Sequence, residues 1–235
     1  MIARTIDRNL LVVITGPFYY HDMAGPADTE DPPTRRYRSP LRESRARETR
    51  DRVVAAATEQ FLTNGWAGTG MREVARTAGV SVETVYSHFP SKRALLDAVI
   101  DISVVGDEQP VPLADRPEFA ALGSGRRSER IAAAARLLAA VHVRTAGFAK
   151  VVREAAPGDG QIAEVLRATR GRQRNDIDAA ATLIVGRSLT PTEVDELWVT
   201  CSPEVYLLFA EDAGWTDEQY EHWAATTLAR LLPRS

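Results

Sequence analysis

One cysteine, Cys201, occurs in 235 residues. An internal disulfide and any multi-cysteine metal site are thereby excluded, and the scarcity suits a reducing cytoplasm. Long apolar runs are missing too. The longest early run, Leu10 to Ile14, falls far short of the ~20 residues of a membrane-spanning helix. It is also short against the roughly 7–15 of a signal-peptide core, and no small-residue cleavage site follows it cleanly. The expectation is a cytoplasmic chain without a membrane partner. No glycine loop of the phosphate-binding kind occurs, and no close histidine pair stands ready for a metal. Cys201 and His222 lack the motif context of nucleophilic catalysis. No catalytic residue, metal or cofactor is therefore assigned, and the chain is expected not to be an enzyme. There is no internal repeat and no credible strand pair.

What is present is an apolar fraction of 44%, enough to fill a core. The net charge of −3 is unevenly spread. Thr34 to Arg93 holds 12 basic against 6 acidic residues, whereas Ala94 to Ser235 holds 15 against 21. A basic block joined to an acidic remainder suits one segment that meets phosphates and another with a different task.

The apolar pattern is helical throughout, so the fold class is all-α. Residues 1–45 are rich in proline and polar residues and read as a disordered extension. Within it, Met23 opens a stretch that reads like a natural start. Arg35 to Arg52 contains eight arginines and three acids, either a solvated face or a basic arm that lies along DNA. Residues 46–105 carry four short helices, at about Arg47–Asn64, Met71–Ala78, Val82–Phe89 and from Ser91 onward. Val54, Ala57 and Phe61 form the buried face of the first. Gly65 is placed in a left-handed cap role and Ser81 as an N-cap. After Val105 a loop-like stretch with Gly106, Pro110, Pro112 and Pro117 begins the third segment, 106–235. It is expected to hold a long helix over Ile131–Ala156 and one long helix or two over Gln161–Val185. A capped helix follows from Pro191, with Thr190 and Glu193 as a capping box, then a break at Pro203, and last a helix after Thr216.

Three short helices with one tight turn present the third to a DNA major groove. In Ala78-Gly79-Val80-Ser81 the chain reverses where a glycine is needed. Ala75 is small where two helices cross, and Val80, Val85 and Phe89 are core. That leaves Val82, Glu83, Tyr86 and His88 for the DNA side. Gly65-Trp66, Thr69, Arg72-Glu73-Val74-Ala75, Ala78-Gly79-Val80-Ser81, Thr84-Val85-Tyr86, His88-Phe89 and Ser91-Lys92 resemble, in order and spacing, the TetR family of bacterial regulators. Ser202-Pro203-Glu204-Val205-Tyr206, Gly214-Trp215, Tyr220 and Trp223 are similar to the effector domains of many actinobacterial members. The resemblance implies that Arg72, Val82 and Glu83 lie near base edges, that Thr84, Tyr86 and Lys92 hold phosphates, and that His88 lies near the groove. Thr69 and Ser81 complete the candidate DNA-binding set. Two positions depart from the family's pattern. Gly70 stands where a capping Ser or Thr is common, with Thr69 as a substitute cap, and Glu83 stands where glycine is common.

The resemblance further implies a helical second domain that binds a small-molecule effector and dimerises through the last two long helices. His142, Arg144, Phe148, Trp198, Cys201 and Tyr206 are the candidate ligand residues; for the large aromatics the core or dimer reading weighs more. A dimer also follows from the DNA side, because one short helix reads too few base pairs and a two-fold protein suits a palindrome. The reading is a homodimeric repressor released from a palindromic operator in double-stranded DNA by an unknown small molecule. An enzyme, an architectural DNA-binding protein without an effector, and an activator are the rivals.

Overall fold

The computed structural model describes residues 40–106 and 113–233. Most of the expected disordered extension, including Met23, lies outside the described residues. Among those described every regular element is helical. They are α1 (Pro40–Gly68), α2 (Met71–Ala78), α3 (Val82–His88), α4 (Lys92–Val105), α5 (Pro117–Ala120), α6 (Arg127–Ala155), α7 (Gly160–Val185), α8 (Pro191–Thr200), α9 (Pro203–Leu207) and α10 (Asp217–Leu231), with a π-helical turn at Leu208–Asp212 and 3-10 turns at Leu113–Asp115 and Ala121–Gly123. They divide into two compact units, one ending at Val99 and the other beginning at Ile100.

In the first unit α1 starts earlier than the expected Arg47. Residues 45–48 are exposed, so no apolar stripe announces these turns. They are held by local means, such as Ser44 Oγ donating to Glu48 at 3.2 Å. Farther on, Val53, Val54, Ala57 and Phe61 are buried as the 3.6-residue period demands. The helix breaks at Gly65, whose φ of 66° suits glycine but whose ψ of −173° is not the expected left-handed cap. Val74, Ala75 and Ala78 of α2, Val85 of α3, Phe89, and Leu95, Leu96 and Val99 of α4 complete this core. Each fully buried Val, Leu or Phe contributes on the order of 1.5–3 kcal/mol.

The second unit is built on α6 and α7. The stretch read as a loop after Val105 contains α5 and two 3-10 turns, and it buries Phe119 and Leu122. Its prolines obscure this, although Pro117 at the first turn of α5 is where a missing N–H does no harm. Asp159 caps α7 by accepting from the backbone N–H of Gln161 at 2.9 Å and of Ile162 at 3.3 Å. A single helix then runs unbroken to Val185. Thr190 and Glu193 form the capping box that starts α8. Pro203 opens α9 with Ser202 as its cap. Ile131, Ala135, Ile184, Val185, Leu197, Ala224, Leu228 and Leu232 form one core around Cys201. By length and composition α6 matches a membrane span. Its Ile131, Ala135, Ala139, Ala146 and Phe148 are buried within the protein.

Candidate nucleic-acid interface

The turn between α2 and α3 is set by Gly79, left-handed at φ 65° and ψ 38°. It lets the N–H of Val80 close back on Ala75 O at 3.0 Å. Ala75, 3% exposed, admits the close crossing. Ser81 Oγ accepts from the Thr84 N–H at 3.2 Å and lies 3.1 Å from the Thr84 hydroxyl. Val85 and Phe89 anchor the inner face of α3. Its outer face presents Glu83, Tyr86 and Ser87, with Tyr86 50% exposed and Val82, Thr84 and His88 half-buried. Arg72 on α2 is exposed as well.

Glu83 is ionised at neutral pH. Its own backbone N–H and then the Ser81 hydroxyl hold its carboxyl below the usual range. Arg76 on α2 is not an unclaimed cation, because it grips Glu73 at 2.7 Å.

Thr69 and Lys92, both in the candidate set, are engaged within the first unit. Thr69 is 3% exposed, and its hydroxyl is directed to Gln60 O at 2.9 Å and Gly65 O at 2.8 Å. It ties down the end of α1, and it neither caps α2 nor faces solvent. Gly70 is left as an N-cap without a side-chain bond, in extended backbone at φ −117° that any residue adopts. The Lys92 ammonium donates to Trp66 O and lies over the Trp66 ring, 4.1 Å from its centroid. Trp66 in turn stacks on Phe61 at 6.0 Å. Sequence reasoning missed that cage, and it missed Arg50, whose guanidinium lies 5.4 Å from the centroid of the Phe89 ring. An arginine amid many gives no periodic signal of such a contact.

In the second unit the candidate ligand residues divide. His142, 2% exposed, stands 2.9 Å through Nδ1 from the Tyr220 hydroxyl and 5.7 Å ring to ring from Tyr206. Tyr206 donates to Asp217 at 3.0 Å. Burial lowers the His142 pKa to about 4, partly opposed by the Cys201 backbone and by Glu204. Burial also pushes the Cys201 thiol up to about 12, which removes it as a nucleophile at neutral pH. Tyr220, part of the C-terminal resemblance but not one of the candidate ligand residues, is the centre of this cluster. It packs against Tyr206 at 4.9 Å and Trp223 at 5.5 Å. Phe148 is buried at 1% and Trp198 is half-buried. Arg144 is engaged elsewhere, donating to Ser103 O at 2.8 Å and Val104 O at 2.9 Å at the end of α4. Gly106 (φ 86°) lies so close that a Cβ there would meet the guanidinium at 3.1 Å.

Comparison with known proteins bears on the first unit. Residues 53–99 match the model for bacterial regulatory proteins of the tetR family. The chain is 38% identical over 58 residues to the HTH-type transcriptional regulator UidR of Escherichia coli, a stretch that covers 25% of this chain and 30% of that one. It is 36% identical over 97 residues to the HTH-type transcriptional regulator TtgW of Pseudomonas putida, covering 41% of this chain and 66% of that one. The chain thus spans less than two thirds of the length of the curated relatives it matches. A crystal structure described as a TetR-family transcriptional regulator from Rhodococcus sp. superposes with a TM-score of 0.60 over 80% of this chain and 100% of that one, at 19% identity. The fold is therefore shared across both units, whereas sequence likeness is concentrated in the helix-turn-helix. On these findings residues 53–99 are similar to the DNA-binding segment of bacterial regulatory proteins of the tetR family.

Proposed function

We propose that the protein is a homodimeric, cytoplasmic transcriptional repressor that binds a palindromic operator in double-stranded DNA and leaves it when a small molecule binds the second unit. The observation that carries the reading is α3. Its inner face is pinned by Val85 and Phe89, while Glu83, Tyr86 and Ser87 are offered outward at the end of a Gly79 turn. Such a helix enters a major groove. Tyr86 and Arg72 supply the donors that phosphates and base edges accept, and Glu83 accepts from a cytosine amino group. Val199 at 58% and Leu208 at 60% exposure, near the C-terminal helices, supply apolar surface for a two-fold partner. The buried His142, Tyr206 and Tyr220 cluster supplies polar groups in an apolar setting, the mixture from which small-molecule sites are made.

The test is anisotropy with a labelled duplex from upstream of the protein's own gene. Wild type binds it, and Arg72→Ala and Tyr86→Ala weaken binding roughly 5- to 100-fold, as loss of one or two good contacts does. Equal binding by wild type and both variants would refute the assignment of α3. A reporter under the same promoter separates repressor from activator: deletion of the gene raises expression for a repressor and lowers it for an activator.

A further inference from the structure

Lys92 is the first residue of α4, at the positive end of that helix, where a cation is unfavourable. Its side chain turns away and delivers the ammonium to the last turn of α1. There it donates to Trp66 O and covers the Trp66 indole at 4.1 Å. That turn follows the break at Gly65, and its Trp66 carbonyl also accepts from the Thr69 N–H at 3.4 Å. A cation at a helix C-terminus satisfies such a carbonyl and meets the negative end of the dipole. The indole face, held parallel to Phe61 with 9° between the planes, adds a cation–π contact. The residue is half-buried, so the ammonium has given up part of its hydration to sit there.

We infer that Lys92 is a positioning residue that fastens the start of α4 to the end of α1, and that it is not a phosphate contact. The elements it joins flank α2 and α3. It therefore acts on DNA through the placement of α3, which Phe89 and Pro90 connect to α4. A swing of the ammonium away from α1 toward a phosphate would give up the carbonyl bond and the ring contact. The DNA part of this inference rests on the proposed function; the latch itself does not.

Two measurements on the full chain separate these statements. The first is thermal unfolding without DNA of wild type, Lys92→Gln, Trp66→Leu and the double variant. The latch predicts that Lys92→Gln lowers the Tm by roughly 2–4 °C in the wild-type background and by less than half of that in the Trp66→Leu background. Additive shifts, or no shift, would overturn the latch. The second is the salt dependence of binding to a duplex recovered by selection from a random pool. Here Lys92→Gln keeps the wild-type slope of log affinity against log salt while lowering affinity at every salt. A slope smaller by about one, the mark of a lost phosphate contact, would overturn the inference. A pool from which wild type recovers no duplex would count against the proposed function alone, and the melting data would still decide on the latch.

Discussion

Buried titratable side chains pull the stability of this protein in opposite directions as pH changes. His142 is held neutral, with its pKa lowered from 6.5 to about 4 by burial. Unfolding below pH 6.5 therefore takes up a proton, and stability falls as pH drops from 6.5 toward 4. Asp176 is the mirror case. Burial raises its pKa from 3.8 to about 7, with Arg172 opposing, and Oδ1 has no hydrogen-bond partner among the described residues. Its folded form holds a proton that the unfolded form sheds, so stability falls as pH rises from 3.8 toward 7. Each effect is on the order of 3 to 4 kcal/mol over its window, so between pH 4 and 6.5 they nearly cancel. Chemical denaturation across that range is expected to show a flat profile for wild type. Asp176→Asn should unmask a profile that rises with pH and should be the more stable protein at pH 7.5. His142→Gln should unmask one that falls. A parallel set of profiles would show that neither group is buried as described. On the DNA side, Glu83→Ala is expected to relax preference at one base pair of each half-site, read by sequencing the bound pool. An unchanged preference would remove Glu83 from base readout.

At the scale of elements, helix ends are fastened by cations from distant parts of the sequence. Lys92 closes α1, Arg144 closes α4, and Arg127 closes α10 by donating to Leu232 O at 2.7 Å and Ala229 O at 3.4 Å. Arg127→Ala should lower stability by about 1 kcal/mol, the worth of a charge-assisted bond of this kind, seen as a lower urea midpoint with an unchanged slope. Gly79→Ala should cost a further ~1–2 kcal/mol, because alanine is strained at φ 65°. The Cβ itself would find room, with Arg52 Nη1 at 3.9 Å as its nearest neighbour. The elements most legible in the sequence were those with a local code. Ser81, Gly79, Thr190 with Glu193, and the stripe of Val54, Ala57 and Phe61 announce their helices through short-range patterns. The first turns of α1 and the helical pieces between Pro117 and Gly123 were not legible, since one lacks an apolar face and the other hides two buried residues among breakers. Contacts such as Lys92 with Trp66, 26 residues apart, leave no periodic trace at all. For this reason the outward positions of α3 could be read from sequence, whereas the inward turn of Thr69 and Lys92 could not.

For the molecule as a whole, the charge division and the exposed apolar groups point to a split of labour. A basic helix-turn-helix unit is joined to an acidic helical one. If Val199 and Leu208 are covered by a second copy, the double variant Val199→Glu, Leu208→Glu should sediment as a monomer at micromolar concentration, with helical content unchanged. Its duplex affinity should fall steeply because two recognition helices no longer bind as one. A variant that sediments as wild type would place the dimer contact elsewhere. The central claim is that α3 reads a two-fold DNA site. It is tested most directly by sequencing the duplexes that the purified chain recovers from a random pool. The account predicts an inverted repeat with half-site centres about 34–36 Å apart or a multiple of that. A pool that stays random, or one enriched in an unrepeated motif, would contradict it.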